Sequence, residues 1–529
     1  VSRAAASARD ERYVLAVDLG TGGPKVGLVS LTGAIAWKEH LPVPTHRTPD
    51  GGATQDAEHW WQVIRSSARR AVASGVVAAE RIAAVSCTGQ WASTVPVDAS
   101  GRPVGHCLLW SDTRGGLRSR GQVGGRVGGY SPLAAAKWIH RSGGAPSTSG
   151  ADPIGHILFI EHELPRVARD ARWYLEPVDY LSMRFTGIAA ATPASMAGAW
   201  LTDNRHPERL DYDQVLVGSS GVPVEKLPPL RPTGSVVGEV LPTVADDLGL
   251  PAGVAVIAGT PDLHSACAGS GAVLGHQAHI AISTTSWVSC PYPKKKTDPL
   301  RQIATVPGII PGLNLVANNQ ESGGKSLEWL RDLLFDGPDL PPFDHLAALA
   351  EHSPPGSGRL IFTPWLAGER SPVDNRAARG GFHNLSLQST RADMVRAVLE
   401  GVAFNSRWLS EAVERFVGRP FGAIRAVGGG ATSALWCSIY ANVLDRPVEQ
   451  VADPLHANLR GSALLAGMAL GEVEAEELHS LVQVVEVHAP EPATRRVYDQ
   501  LFAEFPAFYS SQKGLFAHLN RSRAGSGTS

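Results

Sequence analysis

The stretch YVLAVDLGTGGPKVGLVS, Tyr13 to Ser30, places the narrowest constraint on the fold. An apolar run enters a glycine turn with Asp18 just before it and Lys25 just after it. A Walker A loop needs GxxxxGK[ST], with its lysine opening a helix. A dinucleotide fingerprint needs GxGxxG, again leading from a strand into a helix. Here the turn holds Pro24 and runs into Val26, Gly27, Leu28 and Val29, which is strand-like. The spacing predicts strand–turn–strand. In such a hairpin glycines let backbone N–H groups approach an anion, and the Thr21 hydroxyl adds a donor. A plain hairpin with a loose loop would read the same way at this point.

The pattern recurs. HIAISTTSWVSC, His279 to Cys290, is again an apolar strand, a Ser/Thr turn at Ser283–Ser286 and an apolar strand. Between the two, VAVIAGTPDLHSACAG ends a buried strand at Gly259 and sets Asp262 just beyond it. The small residues Ser265, Ala266, Ala268 and Gly269 follow, as a tightly packed helix start requires. A fourth element, IRAVGGGATSALWCSIYANVL, runs from a strand through Gly428, Gly429 and Gly430 into a helix, where a nucleoside would lie on bare backbone. Two phosphate hairpins, two isolated strand-end aspartates and one triple-glycine turn compose an ATP cleft.

At 529 residues the chain exceeds one hydrophobic core and predicts at least two large domains. The mixed strand and helix signals predict an α/β protein whose two domains meet near residue 262. DAEHWWQVIRSSARRAVASG reads as an amphipathic helix capped by Asp56, with Trp60, Trp61, Ile64, Ala68 and Val72 on its apolar side. Arg391 to Phe416 reads as another, opened by the Thr390–Asp393 start signal. RSGGAPSTSGADPIG, at 141–155, reads as a loop within one domain. A net charge of −2 gives no general attraction to nucleic acid or anionic membrane. Five cysteines scattered singly fit a reducing compartment rather than a disulfide framework. The first residues lack the apolar core of a secretory signal, and no apolar run reaches the roughly 18 residues that span a bilayer. A cytoplasmic location without membrane or nucleic-acid partners is therefore expected. PKKKTDP at 293–299 reads as an exposed turn, GSGAVLG at 269–275 has the wrong spacing for a dinucleotide, and the histidines form no HExxH pattern.

Taken together, the motifs resemble those of the FGGY carbohydrate kinases, within the sugar kinase, Hsp70 and actin superfamily. The resemblance covers about Tyr13 to about Phe508. AVDLGTGGPKVGLV resembles the family's first phosphate motif; CTGQWASTVPVD and LLWSDTR resemble its sugar-binding segments, and WYLEPVDYLSMRFTG its inter-motif helix. GTPDLHSACAGSG resembles the motif of the catalytic aspartate, FTPWLAGERSPVDNRAARGGFHNLSLQSTRADMVRAVLEGVAF the family signature, and AVGGGATSALWCSIYANVLDRPV the adenosine motif. The resemblance implies two ribonuclease H-like domains of the actin and Hsp70 type with an ATP cleft between them. Its divisions are a disordered extension over 1–12, a sugar-binding domain over 13–262, an ATP-binding domain over 263–512 and a flexible tail over 513–529. It implies ATP and Mg²⁺ as cofactors and a small sugar or polyol as substrate. Dimers are common in such kinases, though no residue here demonstrates one.

By this resemblance and by chemistry, Asp262 is the general base for the sugar hydroxyl, although an aspartate there would also simply cap the next helix. Asp18 interrupts an apolar strand, where Mg²⁺ gives a carboxylate reason to stand; turn amides would also satisfy it. Gly20, Thr21, Gly22 and Lys25 on the first hairpin, and Thr284 and Thr285 on the second, are expected to face phosphates. Lys25 reads equally as a solvated hairpin lysine. Gly429, Gly430 and Ala431 line the adenosine pocket, with Asn442 a weaker candidate. Gln90, Trp91, Asp112 and Arg114 are the sugar candidates, pairing hydroxyls and offering an aromatic face. Trp110 reads as ordinary core. The charges of Gly368–Arg370 read as braces of the lobe interface.

Two departures from the family bear on the substrate. The second phosphate turn, usually Gly-Thr-Ser, is Thr284-Thr285-Ser286. Xylulose kinases usually carry Met-His after the glutamine matching Gln90, where this chain has Trp91-Ala92, and the Arg-Glu pair of glycerol kinases is also missing. A ketopentose such as xylulose is the first expectation, glycerol or another polyol the second. A non-catalytic sugar sensor on the same scaffold is the contrasting class, which Asp18 and Asp262 together argue against. A chaperone ATPase would need a peptide-binding domain, and only a short helical end is expected after about residue 475.

Overall fold

In the computed structural model, which describes residues 11–127, 129–335, 337 and 339–520, both glycine turns close antiparallel hairpins. Strand Tyr13–Gly20 pairs with Gly23–Ser30, so the turn is only Thr21–Gly22, and Pro24 lies opposite Leu19 on the strand rather than in the turn. Proline fits near a strand's first residue, where few ladder N–H groups are yet needed. Gly23 is the glycine the hairpin requires: its φ is 134°, and a Cβ there would stand 2.1 Å from the Leu41 carbonyl oxygen.

The chain forms two compact units. The first comprises Val1–Gly271, Val306–Asn314 and Asn458–Leu481. Its six-stranded sheet runs in the order Val236–Glu239, Ala255–Pro261, Ile82–Gly89, Tyr13–Gly20, Gly23–Ser30, Ile35–His40. Ile82–Gly89 pairs in parallel with both its neighbours, whereas the outer pairs are antiparallel. The helix Ala57–Ala73 starts as expected, with Asp56 accepting from the Glu58 and His59 amides, and buries Trp60, Trp61, Ile64 and Ala68. The second unit comprises Ala272–Thr305, Leu315–Ala457 and Val482–Ser529. Its main sheet has the order Ser286–Ser289, Ala278–Ile282, Ile424–Val427, Val448–Val451, Val484–His488. Here too a hairpin is followed by two parallel pairings and an antiparallel edge. Helix Arg391–Val417 opens on the expected Thr390–Asp393 capping box and packs its apolar side into this unit's core.

The first unit runs past the expected boundary at 262 because helix Asp262–Ser270 packs beneath its own sheet. Thr88 and Ser265 share a hydrogen bond of 2.7 Å between hydroxyls. The chain then returns to this unit late, in helix Ala457–Ala469. Ser462 donates to the Ser86 hydroxyl at 2.8 Å, and Arg460 donates to the Gly269 carbonyl at 3.1 Å. Gly461 makes the approach feasible, since a Cβ there would sit 1.8 Å from the Ser265 carbonyl oxygen. Gly461→Val should therefore overpack this contact and cost about 1–3 kcal/mol or more, read as a lower thermal midpoint. An unchanged midpoint would mean that the two helices separate without penalty.

Residues 1–10 of the expected extension and 521–529 of the expected tail lie outside the described residues. Arg12 is paired with Glu472 at 2.8 Å. The tail does not begin at 513, because helix Pro492–Leu519 continues through it, with Phe516 against Trp365 and Asn520 donating to the Ala377 carbonyl. This ending is a 28-residue helix preceded by a strand, not a short helical stub. Among the described residues no helix is long and apolar enough to cross a membrane.

Candidate active site

The hairpin register sets Asp18 directly opposite Lys25, and across the parallel pairing it sets Asp18 beside Thr88. Asp18 is 2% exposed, and Lys25 Nζ lies 3.0 Å from its Oδ2. The lysine is thus neither a solvated surface group nor free: the Asp18 charge holds its pKa above the usual lysine range. On the other side of strand Ile82–Gly89, Pro261 pairs with Gly89 and Asp262 follows as the first residue of its helix. Asp262 is half-buried and accepts the Leu263 amide at 2.8 Å. Burial first, and the Asp18 charge second, push its pKa up to about 7, against the opposing pull of Leu263 N–H and Lys25. This carboxyl is poised to exchange a proton near neutrality, the condition that suits a general base.

The same pair tests the fit of a divalent cation. Two carboxylates close enough for one to raise the other's pKa gain from a cation near both. Lys25 occupies Oδ2 of Asp18, while Oδ1 takes no hydrogen bond among the described residues. No group of three or more His, Cys, Asp or Glu suited to a metal is formed among those residues. That donor set suits Mg²⁺, which takes one or two carboxylates and completes its shell with water and phosphate oxygens.

Around the turn, Thr21 is built into a polar chain. Its hydroxyl donates to Gln90 Oε1 at 3.2 Å and receives the Trp110 indole N–H at 3.2 Å. Gln55, which the sequence reading missed, joins them: it donates to the Thr21 carbonyl at 2.8 Å and receives from Gln90 at 3.3 Å and from Trp60 at 3.1 Å. Trp110 is accordingly half-buried and hydrogen-bonded here, not ordinary core. A glutamine on a short strand carries no distinctive sequence signal, so only the fold brings Gln55 to this turn. Trp91 donates its indole N–H to the Ser195 carbonyl at 2.7 Å, with its ring edge-on to His264 at 6.0 Å. Asp112 is fully buried; its oxygens accept from the Ala53 amide and from the Arg114 amide and guanidinium at 2.7–3.1 Å. Arg114 in turn lies over the Phe159 ring at 4.7 Å. Asp112 thus ties the segments at Ala53 and Arg114 together.

In the second unit, Thr284 is exposed and Thr285 half-buried in the turn of the other hairpin. Two amides brace that turn from behind: Gly323 donates to the Thr284 carbonyl at 2.9 Å and Gly324 to the Ser283 carbonyl at 2.6 Å. The triple-glycine turn meets the same hairpin. Gly428 has φ 92°, and a Cβ on it would lie 2.4 Å from Ser283 Oγ. Gly430 backs onto Ile282 and Trp436, whereas a Cβ on Gly429 would meet only Leu455, at 3.6 Å. Ala431 is fully buried, its carbonyl accepting from Gln450 at 2.8 Å, and so contributes backbone rather than side chain. Asn442 is buried and accepts the Glu491 amide at 2.6 Å. Glu369 of the signature is fully buried, accepting from Asn405 at 2.6 Å and from the amides of Glu321 and Arg370, while Arg370 pairs with Glu321 at 2.9 Å. These partners all belong to the second unit, so the Gly368–Arg370 charges brace that unit internally.

The profile of the FGGY family of carbohydrate kinases, N-terminal domain, matches residues 13–269, and that of the C-terminal domain matches 283–470. Over 513 residues the chain is 26% identical to a xylulose kinase of Staphylococcus epidermidis, covering 96% of this chain and 99% of that protein. It is 25% identical to a gluconokinase of Bacillus subtilis over 505 residues, 93% of this chain and 94% of that one. Among solved structures, xylulose kinase from Rhodospirillum rubrum superposes with a TM-score of 0.80 at 26% identity, covering 96% of this chain and 100% of the other.

Proposed function

The chain belongs to the FGGY family of carbohydrate kinases, and we propose that it transfers the γ-phosphate of ATP to a hydroxyl of a ketopentose such as xylulose. The carrying observation is the arrangement of Asp262, Asp18 and Lys25 about one strand end, with Asp262 raised to about 7. Asp262 takes the proton from the attacking hydroxyl. A positioned base of this kind contributes on the order of 10²–10⁴-fold in rate. Lys25 opposes part of the repulsion that Asp18 exerts on Asp262 and so keeps the base in use at neutral pH. Asp18, with Asp262 beside it, would hold Mg²⁺; when bound, Mg-ATP supplies the phosphoryl group and neutralises phosphate charge. Gln90 and Trp91 face the sugar, Thr21 orders the turn through Gln90 and Trp110, and Asp112 fixes Arg114. Thr284, Thr285 and the backbone at Gly429 would receive the nucleotide.

The xylulose kinase likeness supports the ketopentose, while the gluconokinase at nearly equal identity makes an aldonate the comparison that matters. Glycerol and other polyols complete the contrast. Purified protein with Mg-ATP should release ADP with one member of a panel of ketopentoses, ketohexoses, gluconate, pentitols and glycerol. Turnover with a ketopentose well above gluconate is the expected result. Preference for gluconate or glycerol would overturn the substrate, and silence across the panel with ATP still bound would favour a sensor.

A further inference from the structure

Beyond the base and the sugar candidates, the first unit holds a pair of neighbouring buried carboxyl groups that the reaction does not use, Glu176 and Asp179. Glu176 precedes the first residue of helix Pro177–Thr186, and Asp179 lies on its first turn; they are 2% and 1% exposed. Glu176 sits behind the segment Gln90–Ser93. Glu176 Oε2 accepts the Ser93 amide at 3.1 Å, one residue after Ala92. Ala92 has φ 57°, a left-handed conformation disfavoured for a residue with a Cβ. The Ser195 carbonyl receives the Trp91 indole N–H at 2.7 Å. The start of helix Pro177–Thr186 therefore grips the sugar loop through its backbone at Ser93.

We propose that Glu176 is a positioning residue for sugar binding: by accepting the Ser93 amide it holds the left-handed turn at Ala92 that aims Gln90 and Trp91. This rests on the reading of Gln90 and Trp91 as the sugar site. Burial, with the charge of Asp179, raises the Glu176 pKa well above the carboxylate range. Glu176 has one oxygen that accepts the Ser93 amide and one, Oε1, without a partner among the described residues. A glutamine reproduces that acceptor, whereas leucine leaves the buried Ser93 amide unpaired next to a strained residue.

The test compares sugar KM, ATP KM and kcat across a short series. Glu176→Leu should raise the sugar KM about 10-fold or more, as expected for an unpaired buried donor. ATP KM should stay within about 2-fold, since the ATP candidates lie elsewhere. Glu176→Gln should restore the sugar KM. In an Ala92→Gly background the Glu176→Leu penalty should shrink several-fold, because glycine adopts the left-handed turn unaided. If Glu176→Leu does not fold, Glu176→Asp, one methylene short of the Ser93 amide, should still raise the sugar KM about threefold. A lower thermal midpoint with the sugar KM unmoved would overturn the inference and leave Glu176 a packing residue. Gln90→Ala and Trp91→Ala separate the two readings. If they raise the sugar KM while the Glu176 variants do not, only this inference falls. If they leave it unmoved, the sugar site itself is misplaced and the inference falls with it.

Discussion

Replacing Asp262 with asparagine should lower kcat by about 10²–10⁴-fold, since the amide keeps the shape of the side chain but cannot accept a proton. The pH dependence gives a second signature. With the Asp262 pKa near 7, the ionised base is the minority form below neutrality. kcat/KM should therefore fall as pH drops through 7 and be roughly tenfold below its plateau at pH 6. The sign follows from a raised carboxyl pKa: protons compete for the base at a higher pH than for an ordinary aspartate. The residual activity of Asp262→Asn should lack this limb. A variant that retains most of its kcat would remove Asp262 from the chemistry and leave it as the first residue of a helix.

Lys25→Met should cost both stability and activity. Asp18 has a side chain only 3% exposed, and Lys25 at 3.0 Å is its cation. Removing one partner of a buried pair leaves the other charge uncompensated, typically at about 3–5 kcal/mol. The thermal midpoint should fall by several degrees, and adding Asp18→Asn to Lys25→Met should recover most of that loss without recovering activity. Lys25 also pulls the Asp262 pKa down, so its loss should move the acid limb of kcat/KM to higher pH. A single Lys25→Met protein as stable as the parent would mean that solvent or a bound cation already compensates Asp18. Full activity in the double variant would show that neither charge takes part in the reaction.

The amino-acid order by itself determined the local elements and their repetition. Strand–turn–strand at Tyr13–Ser30 follows from alternate apolar runs on either side of glycines, and the second hairpin follows from the same pattern. The capped helices at Asp56 and Thr390 follow from a polar cap and helical periodicity, which are properties of neighbours in the chain. Asp18 stood out because an unpaired acid within an apolar strand is costly, and Asp262 because it stands just beyond a strand end after a Gly-Thr-Pro turn. Composition could not reveal which side chains meet. That Lys25 pairs with Asp18 depends on hairpin register, and a shift of one residue would have sent it to the other face. That Trp110 and Gln55 close on Thr21 depends on strands far apart in sequence. The return of residues 458–481 to the first unit, through Gly461, and the grip of Glu176 on Ser93 are likewise long-range. Local pattern reports the conformations a segment favours; only the packed structure decides which distant groups share one buried space, because burial makes each of them find a partner.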